Sequence, residues 1–207
     1  MAYYAIGERR VRPGEMEAFV QATRRFGDQI ARAGAPQEAF QLYVAEDDAE
    51  VALLVGRWPH PDRMAAAHAA VPREVAEAAR ANVASGGGVW RWYAPVREVE
   101  AFGERTRVLV AAQFSLDPGQ TESFVPWARA VQDRLVHLEG VVATRLLVAV
   151  DNPLAYAYLG EYADDEVVHA VRAATADIPS PAPLRGWRRF AGRIGYWWDR
   201  PGQRDLE

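Results

Sequence analysis

Hydrophobic and polar positions along the chain pass from a strand-like stretch to a helical rhythm and back, and the chain does this twice. Residues 3–11 read as a strand. Beyond Pro13-Gly14, the positions Met16, Phe19, Val20, Thr23, Phe26 and Ile30 fall at i, i+3, i+4, i+7, i+10 and i+14, one face of a 3.6-residue period. Thr121, Phe124, Val125, Ala128, Val131 and Leu135 repeat that face after Pro118-Gly119, with a period of 105 residues. A repeat this long is a small domain copied once, not a solenoid unit. Proline is tolerated in the first turn of a helix, so Pro13 is expected to open the first one. Pro126 predicts a kink or a delayed start in the second, since an interior proline costs about 3 kcal/mol. Gly34 and Gly140 are expected to end the two helices as left-handed caps.

Residues 40–45 and 51–58 bracket an acidic turn and read as a hairpin, and 141–150 with 154–162 repeat it. The runs 51–55 and 108–112 are apolar without alternation, which predicts strands covered on both faces. An Ala-rich helical region follows over 62–84, broken at Pro72, with a shorter counterpart over 164–176. Aromatic strands over 89–93 and 193–198 close the two copies. The order β-α-β-β-α-β in each half predicts an α+β protein of two tandem ferredoxin-like units forming an intramolecular dimeric α/β-barrel. Residues 1–97 are expected to be the first unit, 98–105 the linker and 106–207 the second unit.

Composition narrows the chemistry. The net charge of −4 gives no electrostatic reason to expect nucleic acid or an anionic membrane as partner. There is no cysteine, which excludes disulfides, thiolate nucleophiles and Cys-based metal sites. All 24 basic residues are arginine, so Schiff-base chemistry is excluded as well. No apolar run approaches the roughly 18–20 residues of a membrane span, and no secretory leader is visible, so a cytoplasmic location is expected. His60, His137 and His169 show none of the metal-binding spacings, so no metal site is expected. Ser85-Gly86-Gly87-Gly88 follows a helix instead of opening one, the reverse of a phosphate loop, and reads as a turn.

The segment Val11-Arg12-Pro13-Gly14-Glu15-Met16-Glu17-Ala18-Phe19, followed by Val55-Gly56-Arg57-Trp58 and Ala66-Ala67-His68, resembles the antibiotic biosynthesis monooxygenase family of the dimeric α/β-barrel superfamily. In the second half Pro118-Gly119, Phe124 and Tyr162 keep the pattern, while Arg172 stands where the helix histidine would be. The resemblance implies a cleft for a small hydrophobic or aromatic molecule. It also implies oxidation without a bound metal or cofactor, the substrate itself reducing oxygen and His68 or Tyr43 managing protons. A non-catalytic, ligand-binding or stress-related barrel protein is the alternative, because the superfamily covers many activities. Trp58 and His68 lie ten residues apart, the spacing of the Trp-His pair in the haem-degrading branch. Register from Pro13-Gly14 and Trp58 puts that branch's Asn, Trp and His at Gly7, Ala67 and Glu77, so haem degradation by that route is not expected.

His68 is the first catalytic candidate, since imidazole titrates nearest neutrality. Its structural alternative is a core-edge histidine bonded to backbone. Trp58, Trp90 and Trp92 suit the wall of an aromatic pocket, and equally the filling between sheet and helices. Trp90 and Trp92 share a strand face, with Arg91 opposite, where it needs an acid, a ligand anion or solvent. Arg185, Arg188, Arg189 and Arg193 around Trp187 read as a solvated helix face. The first half, which keeps both Trp58 and His68, is the one expected to hold a cavity. A further homodimer of the whole chain is left open.

Overall fold

The computed structural model describes residues 2–34, 37–84, 90–100 and 106–199. The elements are β1 (Tyr3–Arg10), α1 (Met16–Arg32), β2 (Ala39–Ala45), β3 (Val51–Trp58), α2 (Asp62–Ala69), α3 (Arg73–Ala81) and β4 (Arg91–Glu100). They continue with β5 (Val108–Ser115), α4 (Thr121–Leu135), β6 (Val141–Ala149), β7 (Asn152–Tyr162), α5 (Asp165–Thr175) and β8 (Arg185–Asp199). The fold is therefore α+β, as the periodicities predict.

The doubled Pro-Gly does not open either helix. Gly14 and Gly119 sit at φ of 76° and 85°, which no helical residue adopts. The backbone bonds Glu15 N to Arg12 O (3.0 Å) and Gln120 N to Asp117 O (3.2 Å) close a turn across each pair. With Pro second and a left-handed Gly third, both are type II turns, and the helices start just after them at Met16 and Thr121. Pro126 lies inside α4 without delaying its start. Gly34, at φ 65°, follows the end of α1 as expected, whereas Gly140, at φ 83°, stands at the entry to β6, several residues after α4.

The arginines of 185–193 lie on a strand, not a helix: β8 runs unbroken over 15 residues, and Val108↔Arg193 through Ser115↔Arg185 pair it with β5. Arg185 and Arg193 bind Asp117 and Asp165 respectively. β4 likewise continues beyond its aromatic stretch to Glu100, into the residues read as linker, with a register shift between Pro95 and Arg97 that absorbs the proline's missing donor. The Ser85-Gly86-Gly87-Gly88 turn lies outside the described residues.

Two compact units divide the chain, one of residues up to Trp92 with β8 from Ile194 onward, the other of Tyr93–Arg193. In the first, β3 lies between β1 and β2, antiparallel to both, with Gly7 and Leu42 both opposite Leu54. Residues 52–56 of β3 are all buried, the outcome expected for its non-alternating apolar run. Phe19 and Ile30 of α1 are each 2% exposed and pack on the sheet face that carries Phe40, Leu42 and Leu54 and, nearer α2 and α3, Ala5 and Trp58. In the second unit β7 lies between β5 and β6, and Ala112 and Leu146 face Tyr158. There Phe114, Phe124 and Tyr156 form an aromatic cluster with centroids 5.3 to 6.0 Å apart. No helix among the described residues is long and apolar enough to cross a membrane.

Candidate functional site

The first unit holds a cavity of about 240 Å³. Its floor is the sheet face formed by Arg9 of β1, Phe40 of β2 and Leu54, Gly56 and Trp58 of β3. Period-two alternation on β3 puts the last three on one side, so the floor is written in the strand itself. Phe19, Thr23, Phe26, Gly27 and Ile30 of α1 form one wall, and Met64 and His68 of α2 with Ala76, Ala79 and Arg80 of α3 form another. Gln37, Val83 and Trp90 complete the lining. The lining is mostly apolar with a few polar groups, the composition of a small-molecule site.

Two strand glycines make room for the indoles. A Cβ on Gly56 would stand 2.8 Å from Trp58 Nε1 and 3.3 Å from Gln37 Nε2. The Trp58 side chain thus folds back over its i−2 neighbour and is 1% exposed. A Cβ on Gly7 would meet Trp90 at 3.0 Å, and the Arg9 guanidinium lies over the same indole, 5.0 Å from its centroid. A glycine inside a strand marks a close approach of this kind, and both positions were available to sequence reasoning for that reason.

His68 meets Phe26 edge-on at 5.0 Å and Trp58 at 6.3 Å. Burial first, and the positive charge of Arg80 second, push its pKa below the usual histidine value of 6.5. The imidazole is therefore neutral at pH 7 and can accept a proton. Because the folded-state pKa is depressed, the stability linked to His68 is complete above about pH 6.5. It is lost as pH falls through the lower folded value. Thermal unfolding between about pH 5 and 7 is expected to fall more steeply for the wild type than for His68→Phe, and parallel curves would refute this.

The structure brings three of the expected residues together, His68, Trp58 and Trp90, and separates the other three. Trp92 packs against the same core cluster without lining the cavity. Arg91 is half-buried on β4 and does not line it either. Tyr43 is fully buried on β2, on the opposite sheet face from Phe40, which the cavity touches. Arg9, Thr23, Gln37 and Arg80 are lining residues that sequence reasoning missed. Gln37 precedes β2 in a stretch with no periodicity, and its burial to 1% exposure comes from tertiary packing alone. The described lining residues offer one imidazole and no carboxylate, a donor set too poor for a metal ion. Among the described residues no three His, Asp or Glu side chains converge as a metal site.

No protein-family model matches the chain, and no curated protein matches it in sequence. Solved structures do match its fold. A candidate monooxygenase from Fusobacterium nucleatum subsp. nucleatum superposes with a TM-score of 0.74 at 11% identity, over 96% of this chain and 94% of that one. One from Lactobacillus acidophilus gives 0.72 at 9% identity, over 96% of each. An anthrone oxidase-like protein gives 0.67 at 12% identity, over 97% of this chain and 94% of that one. The chain therefore has the α+β fold of monooxygenase-like proteins. Likeness at this level of identity fixes fold and leaves the chemistry to the site.

Proposed function

We propose that the protein is a monooxygenase-like member of the dimeric α/β-barrel superfamily, related to the antibiotic biosynthesis monooxygenases and built as a tandem pair. In this reading it binds a small fused-ring aromatic in the first-unit cavity and oxidises it with dioxygen. The observation that carries the reading is a neutral, half-buried His68 set against two indoles in a cavity with no carboxylate among its described lining residues. A substrate with an acidic methylene conjugated through its rings to a carbonyl on the far side, such as an anthrone, would give a proton from that methylene to His68. The resulting carbanion would reduce dioxygen directly, and loss of water would leave the quinone, one dioxygen consumed per anthrone. With Tyr43 on the other sheet face, the proton role falls to His68.

The tandem reading is supported by matching strand pairs. Tyr3↔Trp58 and Gly7↔Leu54 in the first unit stand where Val108↔Tyr162 and Ala112↔Tyr158 stand in the second. The fold-back of an aromatic over its i−2 glycine also recurs: a Cβ on Gly160 would lie 2.1 Å from the Tyr162 hydroxyl oxygen.

Dioxygen uptake with anthrone in air tests the activity. The expected result is catalysed uptake with anthraquinone as product, kcat/KM about 10²–10⁴-fold lower in His68→Ala, and Tyr43→Phe close to wild type. Binding of anthrone without uptake would refute oxidation and favour the non-catalytic, ligand-binding alternative.

A further inference from the structure

Gln37 is buried to 1% exposure at the edge of the cavity, and its Oε1 is buried with no hydrogen-bond partner among the described residues. An orphaned buried acceptor is costly and is retained where something supplies the missing donor. Among the described lining residues the side-chain donors are Arg9, Arg80, His68, Thr23 and the two indoles, and none of them bonds to Oε1. Gly56 has no side chain, and a Cβ there would crowd both the Gln37 amide and the Trp58 indole. The absent Cβ thus leaves room for the Trp58 indole beside the Gln37 amide, at the edge of the cavity. At about 240 Å³, the cavity exceeds the roughly 150 Å³ that accommodates benzene in an engineered apolar cavity, so a two-ring aromatic fits.

We infer that Gln37 orients the ligand by accepting a hydrogen bond from an O–H on its ring system, so that the site takes phenols or enols in preference to ring ethers or hydrocarbons of the same shape. This rests on the proposed use of the cavity for an aromatic molecule. Discrimination arises because a ligand lacking the donor leaves Oε1 both unpaired and sealed from water. A site built to pair with a hydroxyl rejects the analogue without one far more strongly than an apolar pocket separates ligands by size.

Calorimetric titration with 2-naphthol and 2-methoxynaphthalene, which share a ring frame, tests it. Wild-type protein is expected to bind 2-naphthol at least tenfold more tightly, although the ether is the more hydrophobic. In Gln37→Met the preference should vanish while the ether still binds. Equal affinities in the wild type, or a preference for the ether, would overturn the assignment to Gln37 and leave the cavity reading standing. Binding of neither probe would overturn both. The wild-type comparison decides the matter even if the variant does not fold.

Discussion

Arg145→Met is expected to lower the unfolding free energy by about 3–5 kcal/mol, among the largest losses a single substitution can cause in this chain. Arg145 of β6 and Glu161 of β7 have side chains 9% and 4% exposed and are bonded to each other. Glu100 lies 3.2 Å from the same guanidinium and Glu98 3.8 Å, and Thr106 Oγ1 donates to the second Glu161 oxygen at 2.8 Å. Removing the arginine leaves Glu161 buried with one hydroxyl partner among the described residues, and an uncompensated buried charge is what makes such deletions severe. The paired substitution Arg145→Met with Glu161→Leu removes both charges and should recover most of the loss, because the native pair has already borne a comparable desolvation cost. Urea unfolding of the two variants reads this directly. A double variant no more stable than the single one would show that the network, not charge compensation, carries the energy.

The ion-pair network also marks where duplicated pattern ends and unit-specific chemistry begins. By strand register Gln41 and Arg57 stand in the first unit where Arg145 and Glu161 stand in the second. Periodicity reveals the elements because each strand and helix buries one repeating face, and those faces are what duplication copies. It places Trp58 at a strand end and His68 on a helix, where the structure has them. It does not reveal Gln37, whose role depends on Gly56 and Trp58 folding up beside it. The 185–193 arginines misled for a related reason: interleaved Arg and Trp carry no period that separates a strand from a helix, and pairing with β5 decides the matter. The helices start about one turn after each Pro-Gly pair, because proline allows a helix start while the glycine after it, at positive φ, excludes one.

Leu54→Tyr is expected to lower the affinity for 2-naphthol by at least 100-fold, about 2.7 kcal/mol, while leaving the fold intact. Leu54 is opposite Gly7 on the cavity floor. The matching position in the second unit is Tyr158, opposite Ala112, whose hydroxyl oxygen is buried and whose pKa is pushed well up by that burial and by Tyr162. Around it Phe114 stands where Arg9 does and Tyr156 where Ala52 does, so the second unit packs rings where the first leaves space. Carrying the tyrosine across puts a ring in the void on the face that Leu54 already presents to the helices. Because the ring enters empty space, the strain of overpacking a filled core, about 1–3 kcal/mol, is largely avoided. Binding and stability should therefore separate: thermal unfolding close to wild type, with the calorimetric signal for the naphthol nearly abolished. Affinity retained within about threefold would place the ligand elsewhere. A loss of stability comparable to that of Arg145→Met would instead show that the first-unit sheet and helices are already in full contact at Leu54.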